Sequence, residues 1–413
     1  MKAFLKTIGL AGCVLILTLS TAASARADVV TQWNEQAFVS GGSTRALAMV
    51  HIAMFDAINA THPRYRPYLR LRRPPPDASA EAAAASAAHG VLVRLFPGQA
   101  AVLEAALAVS LATLPAAGKR AGVAYGDSVA QALFELRLDD NILTPGPIYV
   151  SGTTPGVYQI TTPGPPQPVN TNAPNWVPFA MTSASQFRPD GPPALTSKKY
   201  ARDLNETREL GGLSNWYRSA DDDQVALWHT ELPQFQLNRV ARTETATDGR
   251  SLLAHARLFA LLNIAVADAA TSVFDAKYTY VFWRPVTAIR NADTDGNPRT
   301  TLDAEWTPFL NTPLHPEYPA AHAVIQTAGL RVLTRYFGRR HAFDTMSASV
   351  PGVTRHYDSF DAYGREGTIA RILGGMHFRN SIEVGDRQGE LVGDWILARF
   401  LTPLRANHRD DRR

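Results

Sequence analysis

Cysteine is almost missing from this chain of 413 residues: Cys13 is the single one, and no thiol follows it. A body without thiols forms no disulfide, builds no thiolate metal cluster and does no cysteine-based catalysis. An excess of either charge is missing too, since 41 Lys and Arg against 37 Asp and Glu leave a net charge of +4. Lys2, Lys6 and Arg26 fall within the first 27 residues, which hold no acid, and the remainder carries 38 basic and 37 acidic residues. A nucleic-acid surface needs a concentrated basic footprint, so that class of partner has little support. No fixed-period repeat occurs, and no strand-like alternation lasts more than a few residues. Residues 249–275 form the longest apolar stretch, but His255, Arg257, Asn263 and Asp268 interrupt it. Those four residues predict a buried core helix and argue against a membrane span.

What is present is ordinary in bulk and informative in its order. The length suits one large domain or two smaller ones, and 45% apolar residues allow a sizeable core. Residues 1–27 read as an export signal: a basic start, an apolar run around Ile8–Leu19, and Ala25-Arg-Ala27 as a cleavage site. Leu10-Ala-Gly-Cys13 also has the form of a bacterial lipoprotein box, an alternative route that leaves a short apolar region. An exported protein, periplasmic or secreted, is the expectation. The body, 28–413, reads as one all-α domain with a long Pro-rich, non-helical excursion. Ser43 is placed to cap a helix reaching about Ala60, and Ala-rich segments near 79–95, 99–114 and 119–138 keep the helical period. The excursion lies between Pro145 and Pro193, which contain 12 of the 28 prolines, and Pro163–Pro168 is too proline-rich for a helix. A non-helical stretch of that length is expected either to be functional, lining or covering a site entrance, or to connect subdomains. The tail from Arg405 to Arg413 is charged and expected to fray.

Three short segments carry the chemistry. In the first, Lys277 and Arg284 stand seven residues apart, which on a continuous helix puts both on one face, and Pro285 predicts the helix end nearby. Alone, this pair also reads as a solvated cationic face over an aromatic side of Tyr280, Phe282 and Trp283. In the second, Pro319-Ala-Ala-His322 opens a helix with an apolar stripe from Val324 to Tyr336, and Gly338 is placed to stop it. His322 then sits in the first turn, where the dipole attracts an anion and disfavours imidazolium. In the third, Arg371 and His377 are six apart, and Gly374-Gly375 predicts a break that swings His377 back toward Arg371. A following helix is predicted to start near Asn380, with Glu383 completing a capping box. Taken singly, either histidine also reads as a capping or core residue. One Lys, two Arg and two His converging can hold a tetrahedral oxyanion and do chemistry on it.

The order and spacing resemble the vanadium-dependent haloperoxidases, bacterial branch, and the related type 2 phosphatidic acid phosphatase superfamily. That signature reads Lys-x6-Arg-Pro, Pro-Ser-Gly-His and Ser-Arg-x5-His. Here it becomes Lys277-x6-Arg284-Pro285, Pro319-Ala320-Ala321-His322 and Ala370-Arg371-x5-His377. Trp33-Asn34 and Arg45–Asp56 resemble the N-terminal helix of bacterial members, so the likeness extends over most of the chain. The resemblance implies a helical-bundle haloperoxidase/acid-phosphatase-like fold, with the oxyanion motifs inside 249–400. It implies vanadate as cofactor, in a site that phosphate can also occupy, with His377 as the axial nitrogen ligand. Lys277, Arg284, Arg371 and the Ala321 amide would hold the oxygens, and His322 would move protons. Lys277 would polarise bound peroxide. The implied partners are hydrogen peroxide, a halide and a small organic acceptor.

Two serines of the signature are Ala320 and Ala370 here. One lost hydrogen bond to a charged oxyanion costs ~1.5–3 kcal/mol, so weaker cofactor retention is expected. Phosphatase members place an aspartate four residues after the last histidine, and this chain has Ser381. The expectation is therefore a halide-oxidising peroxidase. An exported acid phosphatase working through phosphohistidine, or a non-catalytic oxyanion-binding homologue, remain the alternatives. Asp268, nine residues before Lys277, has two readings: orienting a base in the site, or a buried capping role.

Overall fold

A computed structural model describes residues 28–161 and 167–404. The expected export segment with Cys13, most of Pro163–Pro168 and the charged tail from 405 lie outside the described residues. The α-helices run Val29–Val39 (α1), Thr44–Thr61 (α2), Ala80–Leu95 (α3), Ala100–Ala112 (α4), Lys119–Leu136 (α5), Lys198–Leu210 (α6) and Ala220–Trp228 (α7). They continue with Pro233–Thr245 (α8), Leu252–Tyr280 (α9), Pro285–Arg290 (α10), Ala321–Phe337 (α11), Phe360–Leu373 (α12) and Arg379–Arg399 (α13). A small antiparallel hairpin, Phe343–Met346 (β1) with Thr354–Tyr357 (β2), pairs Phe343 with Tyr357.

Helix starts follow the capping chemistry. Asp28, Ser43, Ser79, Ser197, Ser219, Ser251 and Ser359 each accept a first-turn amide, a contact worth ~1 kcal/mol. The core is wrapped around α9, against which α2, α11 and α13 pack. By length and composition α9 could cross a membrane, but its most apolar stretch is buried entirely inside the protein. Each Leu or Phe so buried contributes ~1.5–3 kcal/mol. A glycine seam brings α13 against α11: a Cβ on Gly389 would lie 2.5 Å from the Val324 carbonyl oxygen. The two helices that flank the second and third motifs are thereby held at backbone contact.

Three local expectations are corrected. First, α9 stops at Tyr280, four residues short of Arg284, because Val281 adopts a left-handed conformation (φ 48°) and the chain then leaves to pair with the excursion. Tyr158 N–H donates to the Val281 carbonyl (2.7 Å) and Trp283 N–H to the Gly156 carbonyl (3.0 Å). Lys277 and Arg284 therefore meet through a turn, not along one helix face. Second, α11 begins at Ala321, with Ala320 at its cap and Pro319 outside, although His322 does sit in the first turn. Third, α13 has Phe378 at its cap and no capping box; Glu383 lies 4.0 Å from Lys199 instead. The glycine break is present, with Gly374 ending α12 and Gly375 at φ 72°.

The excursion carries one short 3-10 turn, Ala173–Asn175, among its described residues. Asp268 is what pins it. Its carboxylate accepts the amides of Phe179, Ala180 and Met181 at 2.6, 2.7 and 2.8 Å. The capping reading of Asp268 thus holds, and its orienting role in the site is withdrawn.

Candidate oxyanion site

The three motifs converge. Lys277 and Arg284 have no solvent exposure, which removes the reading of a solvated cationic face; Arg371 and His377 are 3% exposed. Lys277 Nζ donates to the carbonyls of Pro316 and Glu317, both at 2.8 Å, which leaves its third proton for a ligand. Arg284 donates through Nε to the His315 carbonyl (2.8 Å) and through Nη1 to the Met376 carbonyl (2.9 Å). The same Nη1 faces His377 Nε2 at 3.2 Å. Arg371 Nη1 donates to the His229 carbonyl at 3.0 Å, whereas its Nε is buried with no hydrogen-bond partner. The amide end of α11 has no side-chain cap.

His377 is held by a residue that the motif reading did not include. Its Nδ1–H donates to Glu317 Oε1 at 2.8 Å, and the Phe378 amide donates to the same oxygen at 3.0 Å. That contact fixes the tautomer with its lone pair on Nε2, on the side of Arg284. Glu317 is itself unexposed, and its Oε2 has no partner. Burial pushes Glu317 up to about 7, against the pull of Lys277 and Arg284. His322 is half-buried, and its Nε2–H donates to the Glu231 carbonyl at 3.2 Å, freeing Nδ1 as an acceptor. His315, also outside the motif reading, stands 3.0 Å from Arg284 Nη2 through Nδ1. The cue for both was adjacency: Leu314-His-Pro-Glu-Tyr318 runs straight into Pro319. Nothing in the sequence marked His229 and Glu231, which act through backbone carbonyls.

Electrostatically the site is a buried excess of positive charge. Burial and then the neighbouring guanidinium of Arg284 hold Lys277 well below its ordinary value. Burial lowers Arg284 to about 10; burial and the charge of Arg284 lower Arg371 to about 9. Both guanidiniums stay charged at neutral pH. Burial and these cations hold His315, His322 and His377 well below 6.5, so all three are neutral imidazoles. The donor set fits a tetrahedral oxyanion bonded to one nitrogen: an unpaired Arg371 Nε, a spare Lys277 proton, an uncapped helix start and an oriented Nε2. Beside it lies a cavity of about 1020 Å³, whose lining includes His315, Ala321, His322, Arg371 and Met376. Val169, Asn170 and Trp176 of the excursion also line it, as expected of that segment.

Fold and site define a helical protein in which a histidine and three buried cationic side chains converge. Residues 257–405 match the family model for the VCPO second helical-bundle domain. The vanadium chloroperoxidase of Curvularia inaequalis is 29% identical over 173 residues, 30% of this chain and 27% of that protein. The aligned stretch thus spans about a quarter of that relative's length. Among solved structures, a bacterial vanadium-dependent iodoperoxidase shares 26% identity at a TM-score of 0.78, covering 92% of this chain and 96% of its own. A holo-type bacterial vanadium-dependent chloroperoxidase superposes with a TM-score of 0.68 at 18% identity, over 90% and 94% of the two chains. The chain thus resembles the vanadium-dependent haloperoxidases, in sequence over its second half and in fold over most of its length.

Proposed function

We propose that the protein is a vanadate-dependent peroxidase that oxidises a halide with hydrogen peroxide to a hypohalite equivalent. The observation that carries this reading is the His377 Nε2 lone pair, oriented by Glu317 and surrounded by Lys277, Arg284 and Arg371. Vanadate bound there would supply a Lewis-acidic centre that activates peroxide. His377 would hold it through Nε2. Arg284, Arg371, Lys277 and the Ala321 amide would take the oxyanion's oxygens and offset its charge. His322, neutral with a free Nδ1, is placed to accept a proton from incoming peroxide and return it to a leaving oxygen. Lys277 would draw electron density from the oxygen that halide attacks. We also propose that the mature protein acts outside the cytoplasm, on the strength of residues 1–27.

The test is peroxide-dependent bromination by the purified protein across a vanadate titration, with His377→Ala as control. Saturable, vanadate-dependent activity that the variant lacks is the expected result. No activity at saturating vanadate overturns the reading.

One observation favours a second reading. A phosphohistidine mechanism needs a carboxylate behind its nucleophile, and Glu317 provides one although Ser381 does not. Vanadate-free, peroxide-free release of phosphate from a phosphomonoester would support that reading.

A further inference from the structure

Between α2 and α3 the chain concentrates positive charge. Residues 57–76 hold five arginines and no acid: Arg64, Arg66, Arg70, Arg72 and Arg73. All five are exposed, and none has a side-chain hydrogen bond or ion pair among the described residues. In a body close to neutral, so local an excess attracts a polyanion. The segment is an extended strap, and α2 pins its backbone from beneath. Asn59 Oδ1 accepts the amides of Arg64 and Tyr65, both at 3.1 Å, and Asn59 Nδ2 donates to the Tyr65 carbonyl at 2.9 Å. Asp56 accepts the amides of Tyr68 and Leu69 at 2.8 and 2.6 Å. Tyr65 lies under the Arg257 guanidinium at 4.8 Å, and Tyr68 Oη donates to the Phe179 carbonyl at 2.8 Å. Both rings are thus engaged inward, which leaves the arginines on the outer side. A strap with no free ring offers nothing for a nucleobase to stack on, which separates it from a single-stranded nucleic-acid surface.

The end of α9 that meets this strap also meets both ends of the described chain. His255 contacts Asp28, the first described residue, and Arg257, two positions on, covers Tyr65. Leu404, the last described residue, donates its amide to the Arg64 carbonyl at 2.9 Å. Beyond it the sequence adds Arg405, Arg409, Arg412 and Arg413 against Asp410 and Asp411. Lys277 of the oxyanion site stands about 30 Å further along α9, so the strap and the site occupy opposite ends of that helix. We propose that this face docks the protein on an anionic phospholipid bilayer. The arginines meet lipid phosphates, which their planar forks match, while exposed Leu71 and Leu404 enter the headgroup layer. Beside Arg72 and Arg73 lies a groove of about 460 Å³, lined also by Leu71, Pro74, Ala121 and Tyr125. It takes one headgroup with the start of its chains. The docking does not depend on the peroxidase reading.

Vesicle sedimentation with the full protein tests it, using phosphatidylcholine alone and phosphatidylcholine with an equal share of phosphatidylglycerol. Binding is expected only to the anionic vesicles and should weaken steeply as salt is raised. A guanidinium held at such a surface is worth about fivefold in partitioning, so Arg70→Gln, Arg72→Gln and Arg73→Gln together should lower it roughly a hundredfold. All three positions are exposed, and an unchanged melting temperature will show that the fold is kept. Lys198→Gln, Arg299→Gln and Arg365→Gln remove the same charge from exposed positions elsewhere and should change binding little. An equal loss in both triple variants would trace binding to net charge and overturn the proposal. So would binding that neutral vesicles match, or no binding at all. Capture by heparin without vesicle binding also overturns it, because the strap would then serve a polyanionic chain.

Discussion

Ala320 and Glu317 sit three residues apart at the candidate oxyanion site and bear on the proposed anion in opposite ways. Ala320 is unexposed and caps α11 with no side-chain oxygen. Ala320→Ser would add a donor toward the oxyanion and a cap for a first-turn amide. Vanadate and phosphate affinities should both rise roughly ten- to hundredfold, from a hydrogen bond worth ~1.5–3 kcal/mol. The anion-free protein should also gain ~1 kcal/mol. Calorimetric titrations and thermal melts check the two gains separately. Glu317 is a positioning residue, and its charge works against a bound anion while its hydrogen bond strengthens His377 as a donor. Glu317→Gln keeps an acceptor for Nδ1–H and removes the charge. Vanadate, held through the His377 nitrogen in the proposed reading, should then bind about tenfold more weakly, the usual cost of losing a partner behind a metal ligand. Phosphate, held by charge and N–H donors without a bond to that nitrogen, should bind unchanged or more tightly. Equal losses for both anions would mean that Glu317 only supports the fold.

The elements were legible where local chemistry decides them. Ser43 marks a helix start that the structure keeps, and the helical segments read near 79–95 and 119–138 appear as α3 and α5. The end of α9 was not legible, because Val281 takes up a left-handed conformation to meet a partner more than a hundred residues upstream. The start of α13 near Asn380 was legible but its capping was misread for a similar reason: Asp203 Oδ2 and Glu317 Oε1 receive its first amides from a distance. The site repeats this lesson. The cations and histidines are visible in sequence because they recur at fixed spacing. The groups that aim them, such as the carbonyls of His229, Glu231, Pro316 and Met376, leave no residue-type signal. One element junction also carries a pH dependence. His255 on α9 contacts Asp28, the cap of α1, at 2.6 Å and Asp248 at 2.9 Å. Burial disfavours the imidazolium, yet hydrogen bonds to both carboxylates outweigh it and hold His255 above 6.5. Burial likewise opposes the Asp28 carboxylate, and the contact with His255 overcomes it and holds Asp28 below 3.8. The histidine's stabilisation is therefore complete below its unfolded value and is lost as pH rises through the raised one. Asp28's is complete above its unfolded value and is lost as pH falls through the lowered one. Urea denaturation of the wild type and His255→Gln should differ most between those limits and converge at alkaline pH. A constant difference across the range would show that the clamp is packing alone.

For the molecule as a whole, the site is a liability that a ligand removes. The part that matches the family model, 257–405, carries all the candidate oxyanion ligands, while Ser43–Ala46, Phe96 and the excursion close the cavity from the other side. Folding therefore encloses Lys277, Arg284 and Arg371 together, with Glu317 as the carboxylate among them and pushed up to about 7. Buried, unbalanced charge is expensive, and an oxyanion that neutralises it binds the folded state alone. Stability should then rise as RT ln(1 + [L]/Kd), reaching ~2.7 kcal/mol at a hundred times Kd. Phosphate and vanadate should both raise the melting temperature. The increment should depend on pH with a definite sign. The Lys277 ammonium has its value lowered by burial, so it loses its proton as pH rises through that lowered value, and anion affinity falls with it. Binding near that pH takes up protons, which titrations in buffers of different ionisation heat will measure. In Lys277→Met the phosphate-induced rise should shrink and its pH dependence should flatten, because the titrating cation is gone while both guanidiniums remain charged. Melting scans that show no phosphate effect in the wild type, or the same increment and pH profile in the variant, would mean that the cations are balanced within the fold. The site would then not be held open for an anion.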